Sequence, residues 1–185
     1  QLALHFHHTA DRKTYVVDGS NFWRMTNYVP SVTFNAVKDV DILRNAGRAF
    51  GEFQMDLADF EIDQLIETIP GFHNTRQRYE KFIQAVQENK AGRADEVREE
   101  IDFLLSVQDL ACKLTDLQMA GELPLRVTHN DTKINNVLFH PETSDAMIVI
   151  DLDTVMPGLM GHDFGDAIRF AANFVEEDCR DYEKV

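Results

Sequence analysis

The stretch Val127-Thr128-His129-Asn130-Asp131-Thr132-Lys133-Ile134-Asn135-Asn136-Val137-Leu138-Phe139, followed by Ile148-Val149-Ile150-Asp151-Leu152-Asp153, decides the reading of this chain. Polar residues able to accept a proton or hold a cation lie here between apolar β-type runs, and turns at strand ends are where a scaffold displays reactive groups. Asp131 and Asn136 stand five apart across a loop, and Asp151 follows the apolar run 147–150, so its carboxylate is expected to emerge at the end of a buried strand. Phosphoryl transfer needs such a set. One carboxylate orients the attacking hydroxyl and receives its proton, while an amide oxygen and a second carboxylate hold Mg²⁺ against the nucleotide phosphates. His-x-Asp, four intervening residues, Asn, and then a hairpin ending in Asp fifteen positions after Asn136 supply these parts in order.

Outward from this segment, the runs 137–139 and 146–150 read as a hairpin across the turn-rich residues 140–145. A Gly/Pro/Met loop is expected after Asp153, then a helix over 163–175 with Asp163 as an N-cap candidate. Asp166 and Arg169, three apart, share a face of that helix, where they either bind sugar hydroxyls or pair with each other. Upstream, Val97, Ile101, Leu104, Leu105, Gln108 and Cys112 mark one side of a helix over 94–120, closed by Gly121 and Pro124. Its early carboxylates, Asp95, Glu96, Glu99 and Glu100, suit the positive end of the helix dipole. A helix over 76–89 precedes it, and Val40, Leu43, Ala46, Phe50, Phe53 and Leu57 predict another over 39–60. In the intervening loop, Phe72 and His73 either cover the domain or face a ligand. The first thirty residues read as a small antiparallel strand group, with Asp18-Gly19 as a hairpin turn. His5, His7 and His8 lack a nearby further ligand and read as a solvated strand end rather than a metal site.

The 185 residues carry 32 acidic and 18 basic side chains, a formal charge of −14, which excludes a general nucleic-acid binder because counterion release needs a clustered Lys/Arg surface. At 44% hydrophobic and 27% charged residues, the chain has enough apolar material for a core. Cys112 and Cys179 form no disulfide or zinc pattern, and no apolar run approaches the length of a membrane span. A reducing, cytoplasmic setting is expected, with no membrane partner. A first residue other than Met, followed at once by strand-like sequence, is read as a natural chain that begins earlier.

Residues 128–136 resemble the catalytic loop of the aminoglycoside phosphotransferase and choline kinase group, a branch of the protein-kinase-like fold. More closely, Thr-His-Asn-Asp-Thr-Lys-Ile-Asn-Asn-Val-Leu-Phe, with Ile-Asp-Leu-Asp-Thr-Val-Met-Pro-Gly and Asp-Phe-Gly-Asp-Ala-Ile-Arg after it, is similar to bacterial N-acetylhexosamine 1-kinases, the likeness covering residues 125–174. The resemblance implies an α+β chain: residues 1–30 the end of a small N-terminal β lobe and its hinge, residues 31–185 most of a mainly helical large lobe carrying a catalytic β-hairpin, incomplete at both ends. It implies ATP and Mg²⁺ as cofactors and transfer of the γ-phosphoryl group to the anomeric hydroxyl of an amino sugar. By position, Asp131 becomes the catalytic base and His129 the residue that braces its loop. Asn136 and Asp151 become the metal ligands, with Asp153 a further ligand or outer acceptor. Lys133 lies near the phosphates, Met25, Asn27 and Tyr28 line the nucleotide site, and Asp166 and Arg169 lie beside the acceptor pocket.

The chain departs from that family in two respects. No Gly-rich phosphate loop and no suitable early-strand lysine precede the first strands, and the sequence stops soon after Arg169, so this polypeptide alone is expected to turn over poorly. Choline and aminoglycosides remain rival acceptors. Ile-Asp-Leu-Asp-Thr-Val also resembles the first motif of haloacid-dehalogenase-type phosphatases, a reading that leaves His129, Asp131 and Asn136 without a role. A nucleotide-binding pseudokinase is the non-catalytic alternative, although a binder needs no proton acceptor.

Overall fold

The computed structural model describes residues 3–37, 39–173, 175 and 179. In chain order these hold strands β1 (Val16–Asp18) and β2 (Asn21–Trp23), helices α1 (Val40–Asp56), α2 (Thr75–Glu88), α3 (Arg98–Ser106) and α4 (Gln108–Met119), strands β3 (Arg126–Thr128), β4 (Val137–Phe139), β5 (Ala146–Val149) and β6 (Met156–Gly158), and helix α5 (Met160–Ala172). They fall into two units, one drawn from Gln1–Asp59, Asp131–Asp153 and Phe164–Val185, the other from Phe60–Asn130 and Thr154–Asp163.

In the first unit, β1 and β2 pair antiparallel with Asp18 opposite Asn21, so the Asp18-Gly19 hairpin forms as expected. The flanking runs are shorter than expected. Among the described residues, 3–8 contribute one bridge, Phe6 to Thr26, and Thr9 then closes a turn that takes the N–H groups of Arg12 and Lys13. Helix α1 starts where Asp39 accepts the N–H of Asp41. It stops at Asp56 rather than continuing to residue 60, since Ala58 turns back to the Met55 carbonyl in a tighter i−3 bond. Its Ala46, Ala49 and Phe50 enter a core with Ile134, Val137, Phe139, Val149 and Phe170. Phe34 meets Phe139 edge-on, their ring centroids 5.1 Å apart, and Val32 exchanges both backbone bonds with Phe139. This apolar wall carries the β4–β5 hairpin, in which Val137 faces Val149.

In the second unit, Asn74 caps α2 by accepting the N–H of Gln77, and Asn89 closes it in the left-handed conformation. The helix expected over 94–120 is broken. A 3₁₀ turn leads into α3, and Val107 interrupts the path to α4. At the break the Ser106 hydroxyl bonds the Phe103 carbonyl at 2.7 Å, and serine back-bonding onto the preceding turn favours a bend. Of the apolar side expected, Ile101 and Cys112 are buried, whereas Leu104 and Leu105 are exposed. Helix α4 ends in a Schellman motif, Glu122 N–H to Leu117 and Gly121 N–H to Gln118, made possible by Gly121 at φ +77°. Arg76 of α2 grips Asp116 of α4 through two bonds, Nε to Oδ1 at 2.9 Å and Nη2 to Oδ2 at 2.5 Å.

Two further expectations need correction. The stretch after Val155, read as loop, is strand β6, paired antiparallel with β3 so that Thr128 faces Met156 and Arg126 faces Gly158. Helix α5 starts at Met160, which places Asp163 inside its first turn and not at its N-cap.

Candidate active site

Residues 128–139 run from β3 through an irregular loop and a 3₁₀ turn, Ile134–Asn136, into β4. In the second unit the loop's first half has its backbone polar groups satisfied. The Asp163 carboxylate, 2% exposed, accepts the N–H of His129 at 2.9 Å and that of Asn130 at 2.8 Å. Thr154 donates its hydroxyl to the His129 carbonyl at 2.7 Å, and His73 Nε2 donates to the Asn130 carbonyl at 3.1 Å, which fixes the proton of a neutral His73 on Nε2. Asn130 sits at φ +66°, a conformation asparagine tolerates, and its amide donates to Thr154 O at 2.8 Å and accepts from the Thr128 hydroxyl at 3.0 Å. His129 itself is fully buried.

Gly158 makes this packing possible. A Cβ there would stand 2.1 Å from Thr128 Oγ1 and 2.9 Å from Asn130 Oδ1, so β6 approaches β3 at a distance only glycine permits.

In the first unit, Asp131 is half-buried and Asn136 buried. The Asn136 amide donates to the Asp131 carbonyl at 2.9 Å and to Asp131 Oδ2 at 3.0 Å, while Lys133 Nζ stands 3.7 Å from Asp131 Oδ1. Thr132 donates its N–H to Asp166 Oδ2 at 2.8 Å, and the other Asp166 oxygen takes Nε and Nη2 of Arg169 at 3.1 and 3.0 Å. The Asn136 carbonyl accepts the N–H of Ile150 at 2.9 Å, which brings the backbone just before Asp151 to the metal-candidate amide. Asp151 is exposed at φ +61°. It lines a cavity of about 250 Å³ with Leu4, Phe6, Arg24, Thr26, Leu152 and Asp153. Asp153 Oδ2 is held by Arg24 Nη2 at 2.8 Å, with the guanidinium 5.6 Å from the centre of the Phe6 ring.

The residues singled out from sequence thus fall into groups. Asp131, Asn136 and Lys133 are mutually bonded, Asp166 and Arg169 form an ion pair that also grips the loop, and Asp151 and Asp153 share a cavity wall. Met25, Asn27 and Tyr28 are exposed and do not line that cavity, whose strand-side residues are Arg24 and Thr26. Three further residues build the site: Asp163, Thr154 and Gly158. The residue type of Asp163 suggests a helix cap, and nothing local signals its bonds to backbone 34 and 33 residues away.

The donor set fits a hard cation. Both N–H bonds of the Asn136 amide go to Asp131, leaving its carbonyl oxygen lone pairs, and the Asp151 carboxylate has no bonded partner among the described residues. Mg²⁺ commonly takes only one or two protein oxygens, completing its octahedron with phosphate oxygens and water. Among the described residues no helix is long and apolar enough to cross a membrane. A family model described as the phosphotransferase enzyme family matches residues 6–184 of the chain. Its members share a protein-kinase-like fold, with which the mixed α and β elements agree, and the chain belongs to this family.

Proposed function

We propose that the protein transfers the γ-phosphoryl group of ATP to the anomeric hydroxyl of an N-acetylhexosamine, with residues 1–30 forming the end of the nucleotide-side β lobe and residues 31–185 the helical lobe. The observation that carries the reading is the Asn136–Asp131 pair. A single amide orients the carboxylate Oδ2 and keeps its own oxygen for a cation, joining base and metal site in one rigid turn. With Oδ2 engaged, Asp131 Oδ1 receives the acceptor hydroxyl proton as the new O–P bond forms and the bond to ADP breaks. Asn136 and Asp151 hold Mg²⁺, which when bound neutralises phosphate charge and orients the γ-phosphoryl group. Asp153, engaged by Arg24, acts as an outer acceptor. Lys133 balances charge beside the base, and His129 braces the loop from behind. Met25, Asn27 and Tyr28 offer the exposed hinge surface for adenine. Asp166 and Arg169 stand at the acceptor side, the carboxylate also fixing the loop at Thr132.

The test is ADP release by the full-length gene product with Mg-ATP and, in turn, GlcNAc, GalNAc, choline and an aminoglycoside. Release with the amino sugars alone is expected, and release with choline or an aminoglycoside would reassign the acceptor. Asp131→Asn should lower kcat by about three orders of magnitude with nucleotide binding retained, and Asp151→Ala should abolish Mg²⁺-dependent nucleotide binding. Nucleotide binding without acceptor-dependent release from any candidate would favour a binding module.

A further inference from the structure

The second unit holds a cavity of about 180 Å³ whose wall includes His73, His162, Asn130, Thr115 and Glu67. His73 is held firmly there. It directly precedes the Asn74 cap of α2, and its ring stands 4.6 Å from Phe72 and 5.1 Å from His162, centroid to centroid. Its Nε2 donates to the carbonyl of Asn130, the peptide unit that leads directly into Asp131. A carbonyl only accepts, so the bond exists only while the proton is on Nε2. Rotation about ψ of Asn130 would swing the peptide that carries Asp131, so a bond to that carbonyl fixes the peptide's plane.

We propose that His73 is a positioning residue for catalysis: its Nε2–H, braced between Phe72 and His162, sets the plane of the Asn130–Asp131 peptide and thereby the direction from which Asp131 meets the acceptor hydroxyl. The proposal rests on the reading of Asp131 as the base. Phe72 and His162 hold the ring in place, while the N–H acts. The functions of ring and donor are separable by substitution. Phenylalanine keeps an aromatic body without a donor, and glutamine restores an N–H at similar reach without the ring.

His73→Phe and His73→Gln in the full-length gene product should therefore differ. With Mg-ATP and the acceptor, His73→Phe is expected to lower kcat about ten- to a hundredfold, since sub-ångström misplacement of a reacting group costs on this scale, with KM for both substrates unchanged. His73→Gln should recover most of that loss. In an Asp131→Asn background His73→Phe should cost nothing further, because the residue acts only through the base. Equal losses in both variants with parallel falls in unfolding temperature, or full additivity with Asp131→Asn, would overturn the proposal. So would wild-type kcat in both while Asp131→Asn is dead, which leaves the reading of the base intact. Activity in Asp131→Asn itself would instead remove that reading. Should the variants fail to fold, ¹⁵N chemical shifts of wild-type His73 decide the matter independently: a proton on Nδ1 in place of Nε2 overturns it.

Discussion

Replacing Gly158 with alanine probes the packing on which the loop depends. The added methyl would stand 2.1 Å from the Thr128 hydroxyl oxygen, 3.2 Å from Thr128 Cβ and 2.9 Å from the Asn130 amide oxygen, well inside contact. Thr128 is fully buried and cannot move into solvent. Rotating its hydroxyl away forfeits the bonds to Asn130 and Met156, about 1 kcal/mol each, while shifting β6 outwards carries an overpacking cost of about 1–3 kcal/mol. Alanine reduces the freedom of the unfolded chain and returns about 0.4–1 kcal/mol. Where both responses share the strain, a net loss of about 2–4 kcal/mol follows, or roughly 4–16 °C in unfolding temperature for a domain of this size. Urea and thermal unfolding of the full-length gene product measure it. Thr128→Ala removes the nearest clashing atom, so the double variant should be more stable than the sum of the single losses by about 1 kcal/mol. A Gly158→Ala variant within about 0.5 kcal/mol of wild type, or strict additivity with Thr128→Ala, would refute the close approach of the two strands.

Asp163→Asn exchanges one of two acceptor oxygens for a donor facing a backbone N–H; it should lower the urea midpoint by the equivalent of about 2–3 kcal/mol and reduce kcat, and an unchanged midpoint would count against the anchor. Burial, with a smaller contribution from His73, holds the His162 pKa below the ordinary 6.5, Asp163 opposing. The fold therefore favours neutral His162, and stability is full above pH 6.5 and falls as pH drops from there towards the folded-state pKa, a slope that His162→Gln should flatten in denaturation titrations. The Asp116 bond raises the Arg76 pKa and the Arg76 bond lowers that of Asp116, so Arg76→Ala and Asp116→Ala should each lower the unfolding midpoint and the double variant little further; additive losses would show that the pair is not coupled. Asp151→Gly should relieve a left-handed side chain and hold or raise stability by up to about 1 kcal/mol while losing Mg²⁺-dependent nucleotide binding, whereas a destabilised variant would assign Asp151 a structural role.

What could be read beforehand was whatever depends on neighbours in sequence. The β4–β5 hairpin, a helix close to the expected 76–89 and the stop at Gly121 follow from local turn and cap chemistry, and all are present, α2 starting one residue earlier behind the Asn74 cap. The helix break at Val107 was hidden because apolar spacing runs through it, and a single serine hydroxyl favours the bend. Strand β6 was hidden differently. Its sequence, Met-Pro-Gly, has low strand propensity, and Pro157 has no N–H to give to a ladder, so only pairing with β3, 28 residues away at Thr128 and Met156, reveals it. In the site, the Asp131-to-Asn136 spacing is legible because one 3₁₀ turn connects them, and the i, i+3 spacing of Asp166 and Arg169 permits the pair that forms. The grip of Asp166 on Thr132 and of Asp163 on residues 129 and 130 spans more than thirty positions and leaves no local trace.

Asn130 and Asp151 share an unusual backbone, φ +66° and +61°, but not a reason for it. Left-handed residues other than glycine cost about 1 kcal/mol and persist where their surroundings determine them. At Asn130 the surroundings are visible: Asp163, His73, Thr154 and Thr128 engage its backbone N–H, its carbonyl and both ends of its amide. That strain is explained by packing and points to no ligand. Asp151 follows a backbone fixed by the Ile150–Asn136 bond, yet its carboxylate has no partner among the described residues and faces a cavity. In the proposed reading Asp151 is a ligand for Mg²⁺, and an exposed carboxylate on a fixed backbone at a cavity wall suits that role in a way that the fully engaged Asn130 does not.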